Sequence, residues 1–349
     1  MGGQQKDRKK GREWCAHGAR YRTSGELLQP RTALATLLLR TALDWSARHG
    51  GALLAASIFG GVALAPLAAA MREVVPPAVA LLMTLVLLRV DPAQVLGWIR
   101  RPGLVLGLSA WVLLACPLIA FAATRAVGMD GPLGAGVVLM AAAAAATSAP
   151  AFARLVGLDA EISLVVAVVT TALVPLTAPP LALGLLGLDL AISVEGLMLR
   201  LLLVVGLPGL LAVALRRAMG PARLARAATG LDGAVVLVLV VFAFGVMDGV
   251  QARLLADPLW VLGGIAAALA ANLGLNALTA LALSPLLGRP VGLAAGLLAG
   301  NRNQALFLAV LPASAGPGVL LFFALGQIPM FVSPFLLRPV YLRLIRPRR

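Results

Sequence analysis

From Gly51 to the C-terminus the chain is a succession of apolar runs of roughly 20 residues, each long enough to cross a hydrocarbon core as a helix. No other feature restricts the fold as much. Buried strands also read as continuous apolar runs, but these are too long and too dominated by Ala and Leu. The balance of 60% hydrophobic and 12% charged residues agrees, because a soluble domain carries about a quarter charged residues. The formal charge of +15 raises nucleic acid as a partner. Most of that charge, however, sits in tails and short loops between apolar runs, where membrane topology requires it, and nucleic acid is excluded.

The remaining chemistry is sparse. Cys15 and Cys116 are the two cysteines, one in a basic tail and one in an apolar run, so neither a disulfide nor a cysteine metal site is expected. His17 and His49 both precede the first run, and Asp91, Asp130, Asp159, Asp189, Glu195 and Asp257 fall at helix ends or loops. An intramembrane hydrolase needs a base or metal ligand at depth beside its nucleophile, and none accompanies the buried serines and threonines. The chain does not read as an enzyme, and no cofactor is expected.

Residues 1–30 are polar and basic with no apolar core, so they do not read as a signal peptide; Asp7, Glu13 and Glu26 argue against a transit peptide. Between Arg31 and Arg48, Leu34, Leu37, Leu38 and Trp45 share one helical face and Arg31, Arg40 and Arg48 supply charge. That pattern suits a helix lying in the membrane surface, or a solvated linker helix. Residues 1–49 are therefore a basic cytoplasmic extension and 50–346 the membrane domain.

About ten spans follow from length and Pro/Gly punctuation, near 50–70, 75–90, 103–125, 132–155, 159–187, 194–215, 230–250, 257–287, 290–312 and 316–338. The fourth and ninth are interrupted. Arg100, Arg101, Arg154, Arg216, Arg217, Arg223, Arg226, Arg289 and the tail from Arg343 alternate to one side, against Arg72, Arg125 and Arg253 on the other. Positive-inside places both termini in the cytoplasm.

The halves 50–188 and 194–346 resemble one another. "RVDPAQVLGWIRRPGLVLG" from Arg89 parallels "VMDGVQARLLADPLWVLGG" from Val246, matching Asp91 and Gln94 with Asp248 and Gln251. Five spans per half make the repeats inverted, the organisation of secondary transporters with a midplane site. "ATSAPAFARL", Ala146 to Leu155, lies about 56 residues after Asp91, and "GNRNQALF", Gly300 to Phe307, about 53 after Asp248. Pro150 removes an amide donor, Thr147 and Ser148 offer hydroxyls, and Gly300 gives backbone freedom. Unwound backbone at depth survives only where it is buried in protein or faces a water-filled cavity. The two breaks are therefore the expected site, and they are expected to cross.

The polar residues gather around these breaks. The four asparagines, Asn272, Asn276, Asn301 and Asn303, fall in two neighbouring spans. Asn272, Asn276 and Thr279 share a helical face, either as interhelical glue or as a cavity lining. Thr170, Thr171 and Gln327 are further candidates. Arg302 is the sharpest signal, because an arginine at a helix centre costs roughly 2.5–3.5 kcal/mol to insert. Two readings are open. It is a structural cation on the freed carbonyls of the broken helix, or, with no acid at its depth, it forms an anion site whose fork suits a carboxylate, held by Asn301 and Asn303.

"ATSAPAFARLVGLDAEISL", "LVPLTAPPL" and "GNRNQALFLAV" resemble the bile acid:sodium symporter superfamily over about 50–340. The resemblance implies an all-α polytopic membrane protein of two inverted five-helix repeats. A core domain would hold two crossing broken helices, and a panel domain (50–90 and 194–250) would move against it. Arsenite efflux permeases are a related branch, but the cysteine they place near the first break is replaced here by Thr147-Ser148-Ala149-Pro150. Sodium-coupled members carry a glutamate two residues before the second-break glycine and a glutamine two after it. Leu298 and Arg302 stand at those positions. Hydroxyls comparable to other sodium ligands remain at Ser148, Thr170 and Thr171. Gaining a cation and losing an acid at one cluster is expected to expel Na⁺.

The chain thus reads as an inner-membrane, bacterial secondary transporter of small organic anions working by alternating access. Its expected partners are the lipid bilayer and the anion, which is held by Arg302, Asn301, Asn303, Thr147, Ser148, Asn272 and Asn276. The alternatives are a symporter whose Na⁺ uses hydroxyl and backbone ligands, and a non-transporting receptor or scaffold that keeps the fold.

Overall fold

The computed structural model describes residues 30–91, 93, 97, 102–187, 192–311 and 315–345; side-chain burial is described from residue 38 onward, excepting 185 and 186. Gln94, Arg100, Arg101, Cys15, His17 and the last four residues of the basic tail lie outside the described residues. The described backbone is helical apart from one isolated β-bridge.

The elements in chain order are α1 (Pro30–Arg48), α2 (Gly50–Ala63), α3 (Ala65–Arg72), α4 (Val75–Leu88) and α5 (Pro102–Ala126). Then come α6 (Pro132–Ala142), α7 (Ala149–Leu155), α8 (Ala160–Leu186), α9 (Val194–Arg226) and α10 (Ala228–Val246). The last five are α11 (Val250–Ala256), α12 (Pro258–Leu287), α13 (Arg289–Gly300), α14 (Ala305–Val310) and α15 (Pro317–Ile345).

Each of the ten expected regions is helical, but among the described residues only six helices are individually long and apolar enough to cross a membrane. They are α5, α8, α9, α10 run together with α11, α12 and α15. The expected straight span at 50–70 is instead α2 and α3 bent by 105°. Leu64 leaves the helical region at the bend, and Pro66 in the first turn of α3 has no N–H to continue the ladder. At 1.5 Å per residue the 14 residues of α4 extend only about 21 Å, less than the hydrocarbon core. The spans at 132–155 and 290–312 are each two helices separated by extended backbone, as their Pro/Gly punctuation predicts.

The chain divides into Met1–Ala42 and Leu43–Arg349. In the first unit the described residues begin α1, with Leu38 and Leu39 exposed. In the second unit Trp45, exposed, stacks on His49 at 4.6 Å.

The membrane helices pack in a connected array, with α8 on α9 linking its two ends. Helix α10 packs on α2, α3 and α4, and α4 packs on α9. Helix α12 packs on α13 and α15, α6 on α15 and α8, and α7 on α8. Helices α12 and α13 touch through their backbones. A Cβ at Gly292, Gly296 or Gly300 would come within 2.6 Å of α12 backbone atoms, at Ser284 N, Asn276 O and Asn272 O respectively. Small residues every fourth position let two membrane helices touch through their backbones, where dispersion and polar contacts replace a hydrophobic driving force. That contact ends at Gly300, where the second break begins.

Candidate functional site

The breaks open because their residues cannot continue a helix and close because each supplies what the other lacks. Helix α6 ends at Ala142, and Ala143 is extended at φ −66°, ψ 159°. Helix α7 starts at Ala149 with Pro150 in its first turn, where a missing N–H costs nothing. Asn301 is likewise extended at φ −96°, ψ 109°. The two extended segments pair as an antiparallel bridge between Ala145 and Arg302. Ala146 N donates to Asn301 O at 2.9 Å, and Asn303 N donates to Ala144 O at 2.8 Å. The breaks therefore cross as expected, main chain on main chain, which is how backbone deep in a membrane protein avoids orphaned groups.

Side chains complete the crossing. Thr170 Oγ1 accepts from Ala145 N at 3.2 Å and lies 2.8 Å from Val166 O, to which it donates. Thr171 donates to Ala167 O at 2.7 Å. Asn272 Nδ2 donates to Gly300 O at 2.8 Å, Asn301 Nδ2 to Leu297 O at 3.0 Å, and Ser333 Oγ to Asn301 Oδ1 at 3.2 Å. Asn276 Oδ1 accepts from Tyr341 Oη at 2.7 Å. Asn272 and Asn276 thus each make one interhelical bond, while Asn272 Oδ1 and Asn276 Nδ2 are buried without partners.

Arg302 is fully buried. Its Nε donates to Ala299 O at 2.7 Å, and its Nη1 donates to Val112 O at 2.9 Å and Ala143 O at 3.1 Å. These carbonyls come from three places: the end of α13, the start of the first break, and the middle of α5. The last is available for a local reason. Trp111–Ala115 is a π turn, in which Cys116 N bonds Trp111 O. In that register Val112 O would next accept from residue 117, but Pro117 has no N–H to give. The guanidinium takes the carbonyl that the proline leaves free. Nη2 has no partner. The expectation that Asn301 and Asn303 hold the guanidinium is not met: backbone oxygens hold it instead, because the extended segments and the π turn bring freed carbonyls within its reach.

Beside the crossing lies a cleft of about 570 Å³. Its apolar wall is Leu82 and Val86 of α4 with Val235, Leu239 and Phe242 of α10; its polar floor is Thr147, Ser148, Asn303, Gln304 and Gln327. Ser148 Oγ and Gln304 Oε1 are buried without partners. At the rim Arg89 pairs with Asp232, and Arg216 pairs with Asp91 at 3.6 Å while donating to Leu88 O and Val90 O. The guanidinium of Arg154 lies close enough to that of Arg89 for the two charges to interact. Arg154 lines the cleft, and among the described residues its side chain makes no hydrogen bond or ion pair, its backbone oxygen accepting from Gly157 N at 3.2 Å. Glu161 lines it too and is engaged.

A smaller cavity of about 280 Å³ lies at the other ends of α4 and α10, beside the Arg72–Asp248 pair at 3.1 Å. Gln304 and Ala305 face the large cleft, whereas Leu308 and Leu311 face the small one. One six-residue helix, α14, separates them.

Of the residues expected to bind substrate, Thr147, Ser148 and Asn303 line the large cleft, and Asn272, Asn276, Asn301 and Arg302 do not. Thr170 and Thr171, expected as cation ligands, lie behind the first break and also do not line it. Arg89, Arg154, Asp232 and Gln304 are cleft residues that sequence reasoning missed. Arg154 carried a signal that was read only as topology, and Arg89 was noted only as the start of the repeated segment.

No curated protein matches the chain. Residues 76–251, half of its length, match the sodium bile acid symporter family, a family of membrane transporters, and the chain belongs to it.

Proposed function

We propose that this chain is a secondary transporter carrying a small organic anion by alternating access, the anion entering the large cleft and leaving through the cavity beyond α14. The observation that carries the reading is that arrangement of two clefts at opposite ends of α4 and α10, divided by one short helix. A membrane enzyme needs one enclosed site; a carrier needs two approaches to a common floor. In this reading α2–α4, α9 and α10 form the panel, and the remaining membrane helices form the core. The halves 50–188 and 194–346 are inverted repeats, a view supported by the antiparallel meeting of their breaks.

Arg154 is the anion's anchor. The other arginines at the rim are already paired with carboxylates, and Arg302 is turned onto carbonyls away from the cleft. Thr147, Ser148, Asn303 and Gln304 supply hydrogen bonds at the floor. Purified protein in liposomes is expected to take up at least one member of a carboxylate panel. Arg154→Gln is expected to raise KM about tenfold or more, the worth of one lost charge-assisted hydrogen bond. Uptake by the variant equal to wild type would remove the anchor, and no uptake of any carboxylate would remove the substrate class.

The cleft rim carries Arg89, Arg154 and Arg216 and faces the cytoplasm in this reading, with both termini on that side. A reporter active only in the cytoplasm, fused after Arg349, is expected to be active; a silent but well-expressed fusion would reverse the orientation. A receptor or scaffold retaining the fold is the second reading, favoured by the carbonyl shell of Arg302, since a cation satisfied by backbone needs no ligand. Net flux of labelled anion across the vesicle membrane separates the two.

A further inference from the structure

We infer that the Arg302 guanidinium is a resident cation standing where a coupling sodium ion would otherwise be held, so that this member of a sodium symporter family works without sodium. The family's name implies Na⁺, and the donor set at the crossing can be tested for its fit. Deep in the protein, carbonyls from three different elements gather around the Arg302 guanidinium and already accept from it, Ala299 O from Nε and Val112 O and Ala143 O from Nη1. A monovalent cation on freed backbone oxygens at a helix break is what transporter breaks are built to hold. Here the cation is covalently attached.

The remaining oxygens do not rebuild a site. Thr170 Oγ1 is committed to Ala145 N and Val166 O, and Thr171 Oγ1 donates to Ala167 O. Ser148 Oγ and Gln304 Oε1 are unpartnered but belong to the cleft, and Asn272 Oδ1 is a single unpartnered amide oxygen on α12; none of the three accepts from Arg302 with the carbonyl cluster. Among the described residues no carboxylate joins the crossing; Leu298, fully buried, stands two residues before Gly300. A second cation beside a buried guanidinium would meet like charge with no carboxylate among the described residues to offset it; the neighbouring acid is the Cys116 thiol, which already faces Arg302. The residues present do not fit Na⁺. The guanidinium also ties α5, the first break and the second break together, a cross-link that an ion supplies only while bound. The crossing is thereby held in one arrangement at every stage of transport, with no dependence on an ion gradient.

The inference rests on the transport reading for one arm of its test only. In the thermal arm, purified full-length wild type is expected to have the same Tm in NaCl and in KCl of equal concentration. Arg302→Lys, which keeps the charge, is expected to be equally indifferent. Arg302→Gln frees the carbonyls and is expected to melt lower and to regain Tm selectively in Na⁺. In the flux arm, wild-type liposomes are expected to take up carboxylate equally well when Na⁺ is replaced by K⁺. A wild-type or Arg302→Lys protein stabilised selectively by Na⁺ overturns the inference, as does uptake falling about tenfold without Na⁺. So does an Arg302→Gln protein that folds and ignores Na⁺. Should that variant not fold, wild type and Arg302→Lys still decide. Absence of uptake in both salts counts against the transport reading, while the Tm comparison continues to decide this one.

Discussion

Arg302→Leu is expected to yield little folded protein. Three buried carbonyls would lose their donor at once, and an unsatisfied buried polar group costs about 1–3 kcal/mol. The sum, about 3–9 kcal/mol, is comparable with the whole stability of a typical domain, about 5–15 kcal/mol. Leucine returns part of this by removing a desolvated guanidinium, so the lower end of the range is the better expectation. Even so, the loss falls on the contact that joins both breaks to α5. The measurement is Tm with the yield of monodisperse protein. A leucine variant that melts with wild type would show that the guanidinium ties nothing together, and the carbonyl geometry would then have no energetic consequence.

Thr147→Trp is expected to abolish uptake while leaving Tm close to wild type. Thr147 is half-buried at the floor of the large cleft and its side chain makes no hydrogen bond among the described residues, so little is lost by replacing it. An indole in its place would fill much of the space between the first break and the α4 and α10 wall. Transport through a cleft of about 570 Å³ would then be blocked sterically rather than chemically. Labelled-anion uptake falling to the level of empty liposomes is the expected reading. Undiminished uptake would mean that substrate follows another path, and the alternating-access reading would lose its route.

These two substitutions separate two functions that the sequence places side by side. Arg302 and Asn303 are adjacent, yet one is sealed among carbonyls and the other opens on the cleft. A run of extended backbone accounts for the difference, because successive side chains of an extended segment point to opposite sides. The alternation does not extend to Asn301, which does not line the cleft with Asn303: its Nδ2 donates to Leu297 O and its Oδ1 accepts from Ser333 Oγ. Arg302, the residue expected to anchor the substrate, thus faces away from the cleft in this arrangement of the break.

Membrane character, the helical class, the positions of both breaks and their crossing were legible in the sequence. Each depends on a property that residues carry with them: apolar length, a missing proline N–H, a glycine's lack of Cβ, and the need of interrupted backbone for partners at its own depth. What holds Arg302 was not legible. Its acceptors are main-chain carbonyls, which every residue possesses, and Val112 lies 190 residues away, freed by a π turn that leaves no mark in composition. The bend at Leu64, the engagement of Asn272 and Asn276 with backbone and Tyr341, and the arrival of Arg154 in a cleft opposite Arg89 were likewise decided by packing. The sequence alone determined that a buried cation lay at a crossing of broken helices. Only the tertiary structure decided which carbonyls surround it, because which oxygens gather around a side chain depends on how distant segments are brought together in space.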